Sequence, residues 1–214
     1  QWNVIGNVPP VGICGSALLD TAAELRRHGI LDETGRLLDG DEMPLATPDA
    51  LRSRVIEGDA GQEFIIARAS ETRQGEPITL TQKDLREMQL AVAAIRAGIN
   101  ILLAEAGLKA TDLERLLLAG GFGNYIRRSN AQVIGLLPME MERHRIQFIG
   151  NASLVGAKRA AVSAQARETA AAISQTVRHV ELSNHQEFQN EYAEAMFMPD
   201  VVEDEPAKSS ESRR

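Results

Sequence analysis

The sequence predicts an α/β fold, and three observations carry that expectation. Short apolar, strand-like runs alternate with helical patterns between residues 64 and 182. Apolar residues from Leu85 onward recur at spacings of three and four, the period of one long helix. The apolar run Leu116–Leu118 then passes without a polar spacer into Ala119-Gly120-Gly121-Phe122-Gly123, a strand delivering a glycine turn to a helix.

Bulk composition narrows the function classes. The 214-residue chain is 43% hydrophobic and 25% charged, ordinary for a globular protein with a real core. Aromatics make up only 4%, so the core must be aliphatic and alanine-rich. A formal charge of -7 argues against a general nucleic-acid binder, which needs a clustered basic face. No uninterrupted stretch of about 20 apolar residues predicts a membrane span, and no signal peptide is visible. The single cysteine, Cys14, excludes an internal disulfide and fits a reducing compartment, so the cytoplasm is expected. The chain opens at Gln1 with no initiator methionine and reads as a piece of a longer protein.

The elements follow in order. Residues 2–5 read as a short strand, broken by Gly6 and the Pro9-Pro10 pair. A helix starts at Gly15-Ser16, with Ser16 as its N-cap and Gly29 as its stop. Residues 30–60 are rich in Asp, Gly and Pro and read as turns and short strands. "EFIIARA" (63–69) and "PITLT" (77–81) form two strands. Thr81 to Asp84 resemble a capping box opening the long helix, whose face is Leu85, Met88, Val92, Ile95, Ile99, Leu102 and Ala106, closed by Gly107. A short helical turn begins at Thr111, and 115–119 is a buried strand. Residues 145–150 form another strand, "NASLVGAKRAAVS" a helix dense in small residues, and 165–177 a further helix. "VELS" (180–183) is a candidate strand and 185–196 a helix. The domain therefore spans 1–198, with 199–214 a polar, disordered tail.

Taken singly, no motif names an enzyme, and no catalytic residue is assigned. The glycine loop leaves unpaired N–H groups and removes side-chain bulk, so a flat ring or a phosphate can approach the main chain; a ligand-free tight turn explains the spacing equally well. It is neither a Walker A loop nor a G-x-G-x-x-G fingerprint. Gly15 and Ser16 follow Cys14 at a helix start, which favours anions and thiolates, although a well-capped helix with an inert, buried cysteine is the plainer expectation. Asn151, Ala152, Gly156 and Ala157 give a helix surface that another helix or a hinge can approach closely. His28, His144, His179 and His185 are scattered, with no metal-ligand spacing. Arg127-Arg128 is a pair that phosphate could meet, but solvated arginines are the simpler reading.

The order of these pieces is more specific than any one of them. "PPVGICGSALLDTAAELRRHGILDETGR", "TLTQKDLREMQLAVAAIRAGINILLAEAG", "LLLAGGFGNYIRRSNAQVIGLLP", "FIGNASLVGA" and "FQNEYAEAMFMP" together resemble the carboxy-terminal part of the reductive activators of corrinoid enzymes. The resemblance covers about residues 4–199. It implies an actin-like ATPase (ribonuclease H-like) half-domain, a mixed sheet flanked by helices, in the fold shared by actin, sugar kinases and heat-shock chaperones. It also implies nucleotide binding at Gly120, Gly121, Phe122, Gly123 and Asn124, with Gln89 a candidate contact. Gly15 and Ser16 would lie on the phosphate side, and Asn151, Ala152, Gly156 and Ala157 would form the connecting-helix hinge. ATP is the implied cofactor, with Mg in the full-length protein.

A [2Fe-2S] cluster is expected only in an amino-terminal domain absent from this chain, since one cysteine cannot supply four thiolates. The Asp-Gly-Thr phosphate loop of relatives is also absent, and Ala17 stands where they usually have glycine. The implied activity is ATP-driven return of Co(II) corrinoid proteins to Co(I) for methyl transfer, with a corrinoid protein or its methyltransferase as partner and a homodimer conceivable; this chain alone is expected to be inactive. Two alternatives stand beside it. One is an activator of the 2-hydroxyacyl-CoA dehydratase type, with a cluster at Cys14. The other is a non-catalytic docking module for a corrinoid protein or methyltransferase. A small-molecule kinase half is disfavoured, because no catalytic Asp accompanies a phosphate loop.

Overall fold

The computed structural model describes residues 3–59, 61–121 and 125–201. The first helix, α1 (Gly15–Arg27), forms as expected and gives way at Gly29, but Cys14 rather than Ser16 is its N-cap residue. Neither side chain caps it, because Ser16 lies inside the first turn with its hydroxyl against the Cys14 thiol. The strand expected at 2–5 is not seen in Asn3–Ile5; apolar residues alone do not make a strand without a neighbour to complete the ladder. A single bridge pairs Leu31 with Leu37, and a short helix, α2 (Asp49–Arg52), leads into β1 (Val55–Gly58).

The next two strands, β2 (Gly61–Ala67) and β3 (Ile78–Thr81), pair antiparallel with Phe64 opposite Leu80, and β1 flanks β2. Thr81 ends β3 and starts α3 (Gln82–Ala106) in one step. Its hydroxyl accepts from the Asp84 N–H, while the Asp84 carboxylate accepts from the Thr81 N–H over 3.0 Å, a true capping box. Gly107 closes the helix in the left-handed conformation, φ +65°.

The first half of α3 buries Leu85, Met88 and Val92 as expected. Its second half does not bury Ile95 and Leu102, which are about half exposed; Ala93, Ala97 and Ile101 are buried instead. The reason is α7 (Phe188–Ala195), which lies along that flank and ties to it through Asn100 Nδ2 donating to Glu191 Oε2 over 2.8 Å. By length and composition α3 would suffice to cross a membrane, with a mean hydropathy of 1.4 in its most apolar window. In this fold it is a core helix, its face shared with Ile30, Leu31, Phe64 and Leu80.

A second sheet carries the glycine loop. The strands β4 (Leu116–Ala119) and β5 (Ile146–Gly150) run parallel, and α4 (Arg128–Val133) lies between them in sequence. Parallel and antiparallel pairings therefore both occur, in two sheets. β4 was expected to be buried, yet Leu117 is half exposed, because only the side bearing Leu116 and Leu118 packs on the second core of Ile126, Ala131, Leu137, Met141 and Ile146. Two helices, α5 (Ala152–Val162) and α6 (Ala164–Thr176), pack mainly on each other and contain no buried residue. Residues 180–183 form no strand. Of the tail expected from 199, Pro199–Val201 are described: the Pro199 carbonyl accepts from Arg26, and Val201 packs on the first core.

Candidate functional site

The carboxyl ends of β4 and β5 meet at two glycines. The Gly120 N–H donates to the Gly150 carbonyl over 2.7 Å, and both residues have positive φ, +104° and +67°. Backbone in that region strains any residue with a Cβ, so the turn itself requires glycine at these two positions.

Gly121 is different. Its φ is not in the left-handed region, and a Cβ built on it meets nothing within 4 Å. Neither backbone conformation nor packing among the described residues asks for a missing side chain there. A surface free of bulk is what a flat ring lying on the main chain requires. Phe122, Gly123 and Asn124, the rest of the expected loop, lie outside the described residues.

The expected hinge begins one residue after Gly150. Asn151 caps α5, its Oδ1 accepting from the Leu154 N–H over 3.0 Å. Gly156 and Ala157 are exposed, and a Cβ on Gly156 would meet nothing within 4 Å. The fold thus brings Gly120-Gly121 and the start of α5 to one edge of the second sheet.

Gly15 and Ser16 head α1, which packs on α4, but among the described residues no hydrogen bond joins them to the glycine loop. Cys14, expected to be buried, is exposed. A hydrogen bond from the Ser16 hydroxyl, Oγ 3.4 Å from Sγ, and one from the Ala17 N–H hold its thiol below the usual range.

Gln89 is not an open contact. It is 2% exposed, its Nε2 donates to the Thr34 and Met196 carbonyls, and its Oε1 accepts from Arg86. Both amide N–H groups and one lone pair of the oxygen are used inside the fold, and the buried side chain presents no open face to a ligand. This corrects the expectation from the resemblance.

Several residues next to the loop escaped the sequence reading. Asn130 on α4 is buried, donating to Asp20 Oδ1 over 2.6 Å and accepting from Arg27 over 2.7 Å. Gln132, also buried, donates to the Pro138 and Met141 carbonyls and pins the turn after α4. Arg127 is exposed, 4.0 Å from Asp20, as a solvated arginine would be. Arg128 is half-buried: its guanidinium carbon lies 5.2 Å from the centre of the Phe148 ring, and its Nε is shielded from solvent. Paired polar residues after a turn were the available signal, but their partners are over a hundred positions away for Asn130.

Comparison with known proteins places this geometry in context. A family model described as the C-terminal domain of RACo, the ASKHA domain, matches residues 1–209. The chain is 39% identical over 202 residues to the corrinoid activation enzyme RamQ of Eubacterium limosum, across 94% of this chain and 34% of that protein. It is 31% identical over 120 residues to a Methanosarcina barkeri protein named [Co(II) methylated amine-specific corrinoid protein] reductase, across 55% of this chain and 22% of that one. A solved structure titled reductive activator for corrinoid,iron-sulfur protein superposes with a TM-score of 0.80 at 35% identity, covering 93% of this chain and 30% of that chain. The chain thus spans about a third of the length of RamQ and of the solved activator.

Proposed function

Because this chain belongs to the family of the C-terminal ASKHA domain of RACo, we propose that it is the nucleotide-binding part of an ATP-dependent reductive activator. The whole protein would return Co(II) corrinoid proteins to Co(I). One observation carries the nucleotide reading: Gly121 lacks a side chain although its φ would accept one and, chain neighbours aside, no described residue lies within 4 Å of where a Cβ would stand. Adenosine laid against Gly120 and Gly121 at the strand ends uses that space, in keeping with the rule that ligands of open α/β sheets bind beyond the carboxyl ends of strands.

The chemistry divides between this chain and what lies outside it. A [2Fe-2S] cluster would supply the single electron that takes Co(II) to Co(I), and since one cysteine cannot supply four thiolates, residues outside this chain would have to hold it. This chain's share is conformational. A nucleotide held between the Gly120–Gly150 edge and a second half of the fold favours one arrangement of the two, and differential affinity for the partner in each arrangement performs the coupling. The exposed small residues Gly156 and Ala157 on α5 supply a surface for such closure. The partner in this reading is a corrinoid protein or its methyltransferase, the compartment is the cytoplasm, and a homodimer is compatible with it. The relatives' names favour corrinoid activation over the dehydratase-activator and docking-module alternatives.

The test is calorimetric titration of ATP and ADP into the whole protein and into its Gly121→Val variant. A valine that fills the space above the loop should weaken both ligands by at least about tenfold, about 1.4 kcal/mol, with the melting temperature unchanged. Equal affinity in the two proteins would remove adenosine from the loop.

A further inference from the structure

Among the described residues at this edge, Arg128 has no hydrogen-bond or ion-pair partner for its side chain. Its Nε is buried with no hydrogen-bond partner, and its one interaction among the described residues is with the Phe148 ring. An arginine cannot shed its proton, and a buried unsatisfied donor is costly, more so when charged. Arg27 and Arg127 both have carboxylates to meet, Glu24 and Asp20; Arg128 has none among the described residues.

Its position is equally specific. Phe148 stands opposite Leu118, and two residues further along β5 Gly150 receives the Gly120 N–H. A strand advances about 3.3 Å per residue, so Phe148, with the Arg128 guanidinium over its ring, lies roughly 7 Å back along β5 from the glycine turn. The ring contact holds the guanidinium over Phe148, and among the described residues no carboxylate or carbonyl takes its N–H groups. A planar, permanently charged, prepositioned fork without a carboxylate is complementary to phosphate.

Resting on the nucleotide reading above, we propose that Arg128, held by Phe148, binds a phosphate of the nucleotide whose adenosine lies on Gly120-Gly121. Phe148 is then a positioning residue, and the ring acts through the arginine it carries. The stack also accounts for a feature the turn alone does not: α4 begins with an arginine directed onto the sheet rather than into solvent.

The experiment titrates adenosine, AMP, ADP and ATP into the whole protein, its Arg128→Met variant and its Phe148→Leu variant, with melting temperatures recorded for each. Methionine keeps the apolar stem and removes the charge. It should weaken ADP and ATP roughly ten- to a hundredfold, the range carried by a charged hydrogen bond, while adenosine stays within about twofold. Leucine, which keeps the arginine but removes its platform, should weaken ADP by less and leave adenosine alone; it serves as the test should the methionine variant not fold. ADP binding unchanged in both variants overturns the role of Arg128 and leaves the nucleotide reading intact. Adenosine and ADP falling by the same factor also overturns it, since the side chain would then shape the loop rather than meet phosphate. A wild-type protein that binds none of the four overturns both readings together.

Discussion

Asn130 and Asp20 lie 2.6 Å apart, amide nitrogen to carboxylate oxygen, and this bond fastens the helix after the glycine loop to α1. Arg27 completes the arrangement from the same helix by donating to the Asn130 carbonyl oxygen. One buried amide therefore satisfies a carboxylate and a guanidinium at once, across a separation of 110 residues.

Replacing Asn130 by Ala removes a hydrogen bond from each charged partner, leaving Arg27 with Glu24 and Asp20 with the more distant Arg127. The expected loss is about 2 kcal/mol of stability, read as a lower midpoint in denaturant with an unchanged slope. Asn130→Asp should cost more, because it sets a second carboxylate against Asp20. An unaltered midpoint for the alanine variant would mean that α1 and α4 are held by their apolar contacts alone.

Gln89→Leu separates a structural role from a ligand role. The Thr34 and Met196 carbonyls and the Arg86 side chain lose their common partner, at a cost of about 1–3 kcal/mol. ADP affinity, measured where the variant is fully folded, should equal that of wild type. Weaker ADP binding with no change in stability would make the amide a ligand contact after all.

Cys14 offers a pH-dependent readout. The Ser16 hydroxyl, and next the Ala17 N–H, favour the thiolate and lower its pKa. A lowered pKa means more thiolate at neutral pH, and the thiolate is the species that alkylates. Ser16→Ala should raise the pKa and slow iodoacetamide labelling several-fold at pH 7, with the two rates converging once both thiols are fully ionised. Identical pH–rate profiles would show that the Ser16 hydroxyl does not stabilise the thiolate.

What could be read from the sequence was whatever is settled within a few residues. The capping box at Thr81 and Asp84, the stop at Gly107, the existence of strands β2 and β3 and the strand–glycine–helix order around Gly120 are all local chemistry. What could not be read depended on distant partners. Periodicity gave α3 an apolar stripe through Ile95 and Leu102, but the arrival of α7 decided that Ala97 and Ile101 would be covered. Gln89 looked available because nothing nearby in sequence occupies its amide; its partners come from Thr34 and Met196. The ring contact of Arg128 was not legible because Phe148 lies twenty positions downstream, on β5.

The α5–α6 pair has a consequence for how the molecule unfolds. Helices of 11 and 13 residues are near the limit of persistence in water without tertiary support. Leu154, Val155, Val162, Ile173 and Val177 all remain substantially exposed along them. Their amides therefore belong to a separate cooperative unit, whose hydrogen exchange runs well ahead of the α1–α3 core. Any surface that comes to rest on those side chains slows that exchange without touching the rest of the domain, so deuterium uptake over 152–176 works as a local gauge of engagement.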